Sequence, residues 1–179
     1  MKTRQVLDKK FAVSIPAEEI AAQVRRVAGE LNRDMVDKNP IFLAVLNGSF
    51  VFAADLMREI TVPSEISFVK MSSYSGTTST GEMTKLIGLN GSVEGRTVVI
   101  VEDIIDSGFT MVKMMEMLQE MHPADIKLCT LLLKPGNLKV DLKVDYNCFS
   151  IPNDFIVGYG LDYNEQGRNL KDIYTVVEE

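Results

Sequence analysis

The stretch Val98-Val99-Ile100-Val101-Glu102-Asp103-Ile104-Ile105-Asp106-Ser107-Gly108-Phe109-Thr110 decides how the rest of the chain is read. Four consecutive β-branched residues open it, as in a strand buried on both faces of a parallel sheet. Three carboxylates follow within five residues, then Ser107-Gly108, then a helical-looking run from Thr110 to Gln119. A small-residue turn from strand to helix exposes backbone N–H groups, and the helix dipole adds partial positive charge; together they suit a bound phosphate. Carboxylates beside such a seat would repel the phosphate. They must therefore face something else: sugar hydroxyls, a metal ion or a proton in transit. The plainer reading is a solvated acidic strand end with Ser107 capping the next helix. One carboxylate would fit that reading; three beside a hydrophobic run fit it poorly.

Outward from this stretch the pattern repeats. Ile41 to Leu46 is a continuous apolar run, Asn47-Gly48-Ser49 breaks it, and Phe50 to Ile60 resumes as a helix. In a parallel sheet both turns would lie at one carboxyl edge, where ligands bind. Upstream, Phe11 to Pro16 reads as a short strand or arm, and Ala17 to Met35 carries Ile20, Val24, Val27 and Leu31 at helical spacing. Ile66 to Lys70 reads as a strand. The polar, hydroxyl-rich Ser72–Gly81 buries too little to be rigid, which predicts a mobile loop; an ordinary exposed hairpin end is the plain alternative. Thr84 to Leu89 would be the returning strand, with Asn90-Gly91 as a turn. Ala124 to Leu133, Phe155 to Tyr159 and Ile173 to Val177 read as further strands, and Asp162 to Asn169 as a polar segment. Alternating strands and helices indicate an α/β fold, and with no repeat or dividing linker residues 1–179 are expected to form one domain.

Composition narrows the function classes. With 46% hydrophobic and 25% charged residues, the chain has the make-up of a globular protein. Lys and Arg number 19 against 25 acidic residues, so the net charge of −6 speaks against a generic nucleic-acid binder, a local basic patch aside. There is no apolar run of bilayer-spanning length, and Met1 to Lys10 lacks the apolar core of a secretion signal. Cys129 and Cys148 fall in apolar surroundings without metal-ligand spacing, and are expected to be buried free thiols. A single histidine, His122, argues against a His-based triad or His-rich metal site. Its place before Pro123 at a helix end predicts a capping or surface role.

The opening stretch resembles the ribose-phosphate-binding motif of the type I phosphoribosyltransferases. From about residue 40 to residue 174 the chain is similar to the hypoxanthine and hypoxanthine-guanine phosphoribosyltransferases. Four further segments carry that resemblance: Leu46-Asn47-Gly48-Ser49, Ser73-Tyr74, Leu133-Lys134, and Phe155-Ile-Val-Gly-Tyr-Gly-Leu-Asp-Tyr-Asn-Glu165 with Arg168. It implies the family's fold, a mainly parallel sheet flanked by helices, with a small hood and a mobile loop. It also implies a reaction, transfer of the phosphoribosyl group of 5-phosphoribosyl-1-pyrophosphate to hypoxanthine and probably guanine, with Mg²⁺ as cofactor.

The implied roles follow by position. Glu102 and Asp103 would meet the ribose hydroxyls and shape the Mg²⁺ environment, as carboxylates suit hydroxyl donors and a hard, hydrated cation. Asp106 would be the general base at purine N7, and Asp106, Ser107, Gly108, Phe109 and Thr110 the 5-phosphate loop. Lys134 would donate to the purine's O6, a preference for 6-oxopurines because adenine's amino group offers an ammonium no good acceptor. Phe155 would stack on the base, Ile156 would read it through its backbone, and Asp162 would contact the base edge and the metal. Leu46, Asn47, Gly48 and Arg168 would hold the pyrophosphate, the Leu46–Asn47 peptide being cis in many members. Some relatives carry lysine where this chain has Asn47, which leaves Arg168 and Mg²⁺ to neutralise more of the pyrophosphate. Ser73 and Tyr74 would belong to a loop that closes over the site and excludes water. The resemblance further implies a cytoplasmic purine-salvage enzyme that forms a homodimer or homotetramer and binds neither nucleic acid nor membrane. Two alternatives stay open here: a xanthine-preferring enzyme, and a regulator that senses the ribose phosphate while gripping nucleic acid.

Overall fold

Chain ends and chain middle build separate sheets. The computed structural model describes residues 2–75 and 82–177, with the side chains of 72–75 and 82–85 also outside the described set. At the start, β1 (Thr3–Val6) pairs antiparallel with β2 (Lys9–Ile15), and α1 (Ala17–Asp34) follows. Pro16 precedes the helix, its carbonyl accepting from the N–H groups of Glu19 and Ile20, with Glu18 and Glu19 in the first turn and Arg33 in the last. These charges complement the helix dipole.

The middle of the chain runs β3 (Ile41–Val45), α2 (Phe50–Glu59), β4 (Glu65–Ser75), β5 (Glu82–Ile87), β6 (Thr97–Ile105), α3 (Phe109–Gln119), β7 (Asp125–Leu133) and β8 (Tyr146–Ser150). These strands form one sheet in the order β5-β4-β3-β6-β7-β8, parallel except for β5. β6 lies inside it, with Ile41 to Ala44 in register with Val98 to Val101 on one side and Thr97 to Glu102 with Asp125 to Thr130 on the other. Successive side chains of a strand face opposite ways. Phe42, Ala44, Val99 and Val101 accordingly join Ile20, Val24, Leu31 and Phe52 in one core layer, whereas Leu43, Val98 and Ile100 join Met111, Met114 and Leu118 in the other. Helices on both faces explain why these strands are apolar at every position instead of alternating.

The chain then returns to its beginning. β9 (Ile156–Val157) and β10 (Ile173–Val176) complete the second sheet in the order β1-β2-β10-β9, around a small core of Val6, Phe11, Val157 and Tyr174. This is the hood expected from the resemblance.

Several local expectations change. The backbone of Ser72 to Ser75 continues β4, with Ser73 in register with Thr84 and Tyr74 with Met83 on β5, so these four residues belong to the hairpin that is the plain alternative to a loop. Residues 76–81 of the expected loop lie outside the described residues. The strand read at Phe155–Tyr159 is only Ile156–Val157, because Gly158 turns at φ 106° and a Cβ there would collide with the Asp172 carbonyl. β1 and β8 were not expected from the sequence. Cys129 and Cys148 are buried free thiols, and burial pushes Cys148 up to about 12. His122 is exposed just beyond α3, with its carbonyl accepting from the Gly95 N–H. Among the described residues no helix is long and apolar enough to cross a membrane.

Candidate active site

The two strand-to-helix turns meet at the carboxyl edge of the parallel sheet, as their parallel register requires. They line a cleft of about 420 Å³ with Leu46, Asn47 and Gly48 on one side and Asp106, Ser107, Gly108 and Thr110 on the other. Glu102 and Asp103 lie between them at the end of β6, and Asp162 and Arg168 come in from the hood side.

The turn after β6 is built for close approach. Gly108 caps α3 at φ 86°, and a Cβ there would press on Val140, Leu138 and Leu142. Both the dihedral and the space call for glycine. The first N–H groups of α3 have no partner within the helix, and Gly108, Thr110 and Met111 of this turn line the cleft, a favourable seat for an anion. The turn after β3 is held differently. Its Leu46–Asn47 peptide is cis, the Leu46 N–H donates to the Val69 carbonyl at 2.8 Å, and the buried Ser49 hydroxyl donates to the Val45 carbonyl at 2.5 Å. Gly48 lies so close to Asp103 that a Cβ would overlap its carboxylate. Gly160, at φ 101°, packs equally closely on the Gly48 carbonyl. Loop, carboxylate and hood are therefore in contact through two positions without side chains.

The adjacent acids differ in environment. Glu102 is 7% exposed, and its Oε1 accepts from the Asp103 N–H at 3.0 Å. Burial holds its carboxyl well above the usual glutamate range, with the neighbouring Asp103 adding to the effect. Asp103 accepts from the Ile104 N–H at 2.8 Å. Farther along, Asp106 Oδ1 accepts from the Asn137 amide. Arg168 is held at the cleft from the hood: it donates to the Gly160 carbonyl at 2.9 Å and pairs with Asp162 at 2.9 Å and Glu165 at 3.2 Å.

A family profile described as phosphoribosyl transferase domain matches residues 15–164. The chain belongs to that family. It is 41% identical over 172 residues to the hypoxanthine-guanine phosphoribosyltransferase of Streptococcus pneumoniae, covering 96% of this chain and 94% of that protein. The protein of the same name from Streptococcus thermophilus is 39% identical over 163 residues, covering 90% and 91%. Among solved structures, a hypoxanthine-guanine phosphoribosyltransferase of Bacillus anthracis matches with a TM-score of 0.85 at 42% identity, covering 93% of this chain and 98% of that one. The hypoxanthine phosphoribosyltransferase of Trypanosoma cruzi matches with a TM-score of 0.83 at 33% identity, covering 93% and 97%. The fold is the type I phosphoribosyltransferase fold.

Most of the residues that the resemblance singles out line the one cleft: Leu46, Asn47, Gly48, Glu102, Asp103, Asp106, Ser107, Gly108, Thr110, Asp162 and Arg168. Phe109 does not; its ring is 59% exposed beside the cleft. Lys134 is buried at the end of β7, outside the lining, with its N–H donating to the Ile105 carbonyl. Phe155 borders a different hollow with Gln5, Asp8, Lys9 and Lys10, and its ring meets Tyr163 edge-on at 5.5 Å and Phe11 at 6.0 Å. Ile156 turns its side chain into the core while its backbone pairs with Thr175. The side chains of Ser73 and Tyr74 lie outside the described residues.

Two residues at the site were not read from the sequence. Lys70, on β4, lines the cleft beside the Leu46 turn. Its only sequence signal is its place at the end of the run Ile66–Lys70, whose strand continues past it to Ser75. Asn137 reaches Asp106 from a tight turn after β7, and nothing in the linear order announces that contact.

Proposed function

We infer that this chain transfers the phosphoribosyl group of 5-phosphoribosyl-1-pyrophosphate to hypoxanthine, and to guanine, in purine salvage. The observation that carries this reading is the Glu102–Asp103 pair set between two turns at one sheet edge, in a chain 41% identical over nearly its whole length to a hypoxanthine-guanine phosphoribosyltransferase.

In the proposed reaction the C1–O bond to pyrophosphate breaks as purine N9 bonds to C1. The bonding pair leaves on the pyrophosphate, and the N7 proton passes to Asp106. Glu102 and Asp103 hold the ribose hydroxyls. The turn from Asp106 to Thr110 and the α3 N-terminus hold the 5-phosphate. Leu46 to Gly48 and Arg168 hold the pyrophosphate, and Lys70, beside that turn, supplies a second cation where Asn47 supplies none. Lys134 donates to O6, Phe155 stacks on the base, the Ile156 backbone and Asp162 read its edge, and Ser73 and Tyr74 help close the site.

Among the described residues no group of three potential ligands stands ready to cage a metal. The carboxylates that line the cleft fit Mg²⁺, which keeps several waters and is held by one or two carboxylates together with substrate phosphates. Asp103, Glu102 and Asp162 are the residues proposed to border it; when bound, Mg²⁺ neutralises charge on the departing pyrophosphate. The same reading takes the chain as one domain, cytoplasmic, and assembled as a homodimer or homotetramer.

Steady-state assays with 5-phosphoribosyl-1-pyrophosphate and Mg²⁺, offering hypoxanthine, guanine, xanthine and adenine separately, test it. Turnover of hypoxanthine and guanine with adenine inert is expected. Fast xanthine turnover would move the assignment to a xanthine enzyme, and no turnover at all would remove the catalytic reading.

A further inference from the structure

We propose that Asn137 is a positioning residue for the general base, fixing the Asp106 carboxylate so that its free oxygen faces the purine. The proposal rests on the reading of Asp106 above and assigns Asn137 a task within it.

The β6–β7 ladder does not stop where the strands end. The Lys134 N–H donates to the Ile105 carbonyl at 2.9 Å, and the Lys139 N–H donates to the Ser107 carbonyl at 3.0 Å. Asp106 lies between these two rungs, and it is there that the Asn137 amide donates to Asp106 Oδ1. A side chain thus takes the rung between two backbone ones. The tight turn Pro135–Asn137 makes this reach possible, closed by the Asn137 N–H donating to the Lys134 carbonyl at 3.0 Å. The Asn137 side-chain oxygen Oδ1 in turn accepts from the Asn153 side-chain amide at 3.5 Å, which leaves the NH₂ end of Asn137 for Asp106.

Two consequences follow from the chemistry. A carboxylate on a mobile turn samples many rotamers, and a donor on one oxygen removes most of them, leaving the second oxygen as the free proton acceptor. Because Asn137 ends the three-residue turn Pro135–Asn137 that Lys134 immediately precedes, the donor proposed for O6 and the base proposed for N7 are set by one turn. O6 and N7 are neighbours on a purine, so that turn fixes the spacing at which they are read. An aspartate at 137 would keep the shape but face Asp106 with a second carboxylate.

A double-mutant cycle tests this. Asn137→Ala is expected to lower kcat about tenfold, with the KM for 5-phosphoribosyl-1-pyrophosphate unchanged within about twofold, because the phosphate contacts stay intact. Asn137→Asp should lose more than Asn137→Ala, and it serves as the second probe if the alanine variant folds poorly by melting temperature. In an Asp106→Asn background, itself strongly impaired, Asn137→Ala should change kcat by less than about twofold, since the group that it positions is gone. The same tenfold loss in both backgrounds would overturn the proposal while leaving Asp106 as the base. So would a loss expressed in the KM for the ribose phosphate. Full activity of Asp106→Asn alone would overturn the general-base reading, and the proposal with it.

Discussion

The edge of the parallel sheet and the hood reach the same cleft by opposite routes. At the edge, each unit is local: an apolar strand, a turn of small residues and a helix, all within about twenty consecutive residues at Ile41–Glu59 and Thr97–Gln119. The hood is assembled from the two ends of the described chain, with β2 beside β10 and Asp172 accepting from the Ala17 N–H and from Lys2. The edge carries the backbone donors and carboxylates proposed to act on phosphate and ribose. The hood brings Asp162 and Arg168 to the cleft and carries Phe155 beside a separate hollow, in a sheet held by contacts that span more than a hundred residues of sequence. Disturbing the first should alter chemistry; disturbing the second should alter base binding and stability.

The sharpest way to break that contrast is Gly48→Ala. A methyl group there overlaps the Asp103 carboxylate, which would have to move. Misplacement of a reacting group by about 1 Å costs on the order of a hundredfold in rate, so kcat/KM should fall by about that factor while the melting temperature barely moves. A fully active Gly48→Ala enzyme would show that the turn after β3 and Asp103 do not act together.

On the hood side, Phe155→Ala should raise the KM for hypoxanthine roughly tenfold, in line with base–aromatic stacking of about 1–3 kcal/mol. The KM for 5-phosphoribosyl-1-pyrophosphate should stay constant. An equal rise in both would mean that the ring supports the hood as a whole through Phe11 and Tyr163, and does not serve the base.

Asp172→Asn should have the smallest effect on turnover and a clear one on stability. The Ala17 N–H, then Lys2, hold the buried Asp172 carboxyl below the usual aspartate range. A carboxyl lowered in the folded state contributes stability above its unfolded value, roughly pH 3.9, and loses it as pH falls through the folded value. The variant should therefore be less stable at pH 7, with a lower melting temperature, and the gap should close in acid. Thermal melts across that range would check it. A gap independent of pH would mean that packing, not charge, joins the chain ends.

What was legible divides along the same line. The apolar runs at Ile41–Val45 and Val98–Val101 are apolar throughout because helices cover both faces of the sheet, and that condition leaves its mark in the linear order. β1 leaves no mark in the linear order because three of its four residues are exposed, so Thr3–Val6 shows no apolar run. Phe155–Tyr159 is apolar at four of five positions and reads as one strand, yet Gly158 turns out of it at φ 106° and, lacking a Cβ, packs closely on the Asp172 carbonyl, a contact that the run of five does not reveal. Ser72–Ser75 looked like loop by composition but is held as strand by pairing with β5, a partner that composition does not reveal.

The sequence by itself determined the α/β class, the two strand–turn–helix units and the family, because each is written in consecutive residues whose spacing local geometry fixes. Only the tertiary structure decided that Asp103 lies against Gly48, that Asp162 and Arg168 pair at the cleft, and that Asn137 holds Asp106. Those contacts depend on which strands adjoin and how two sheets meet, and that is settled by burial summed over the whole chain, not by any stretch of it.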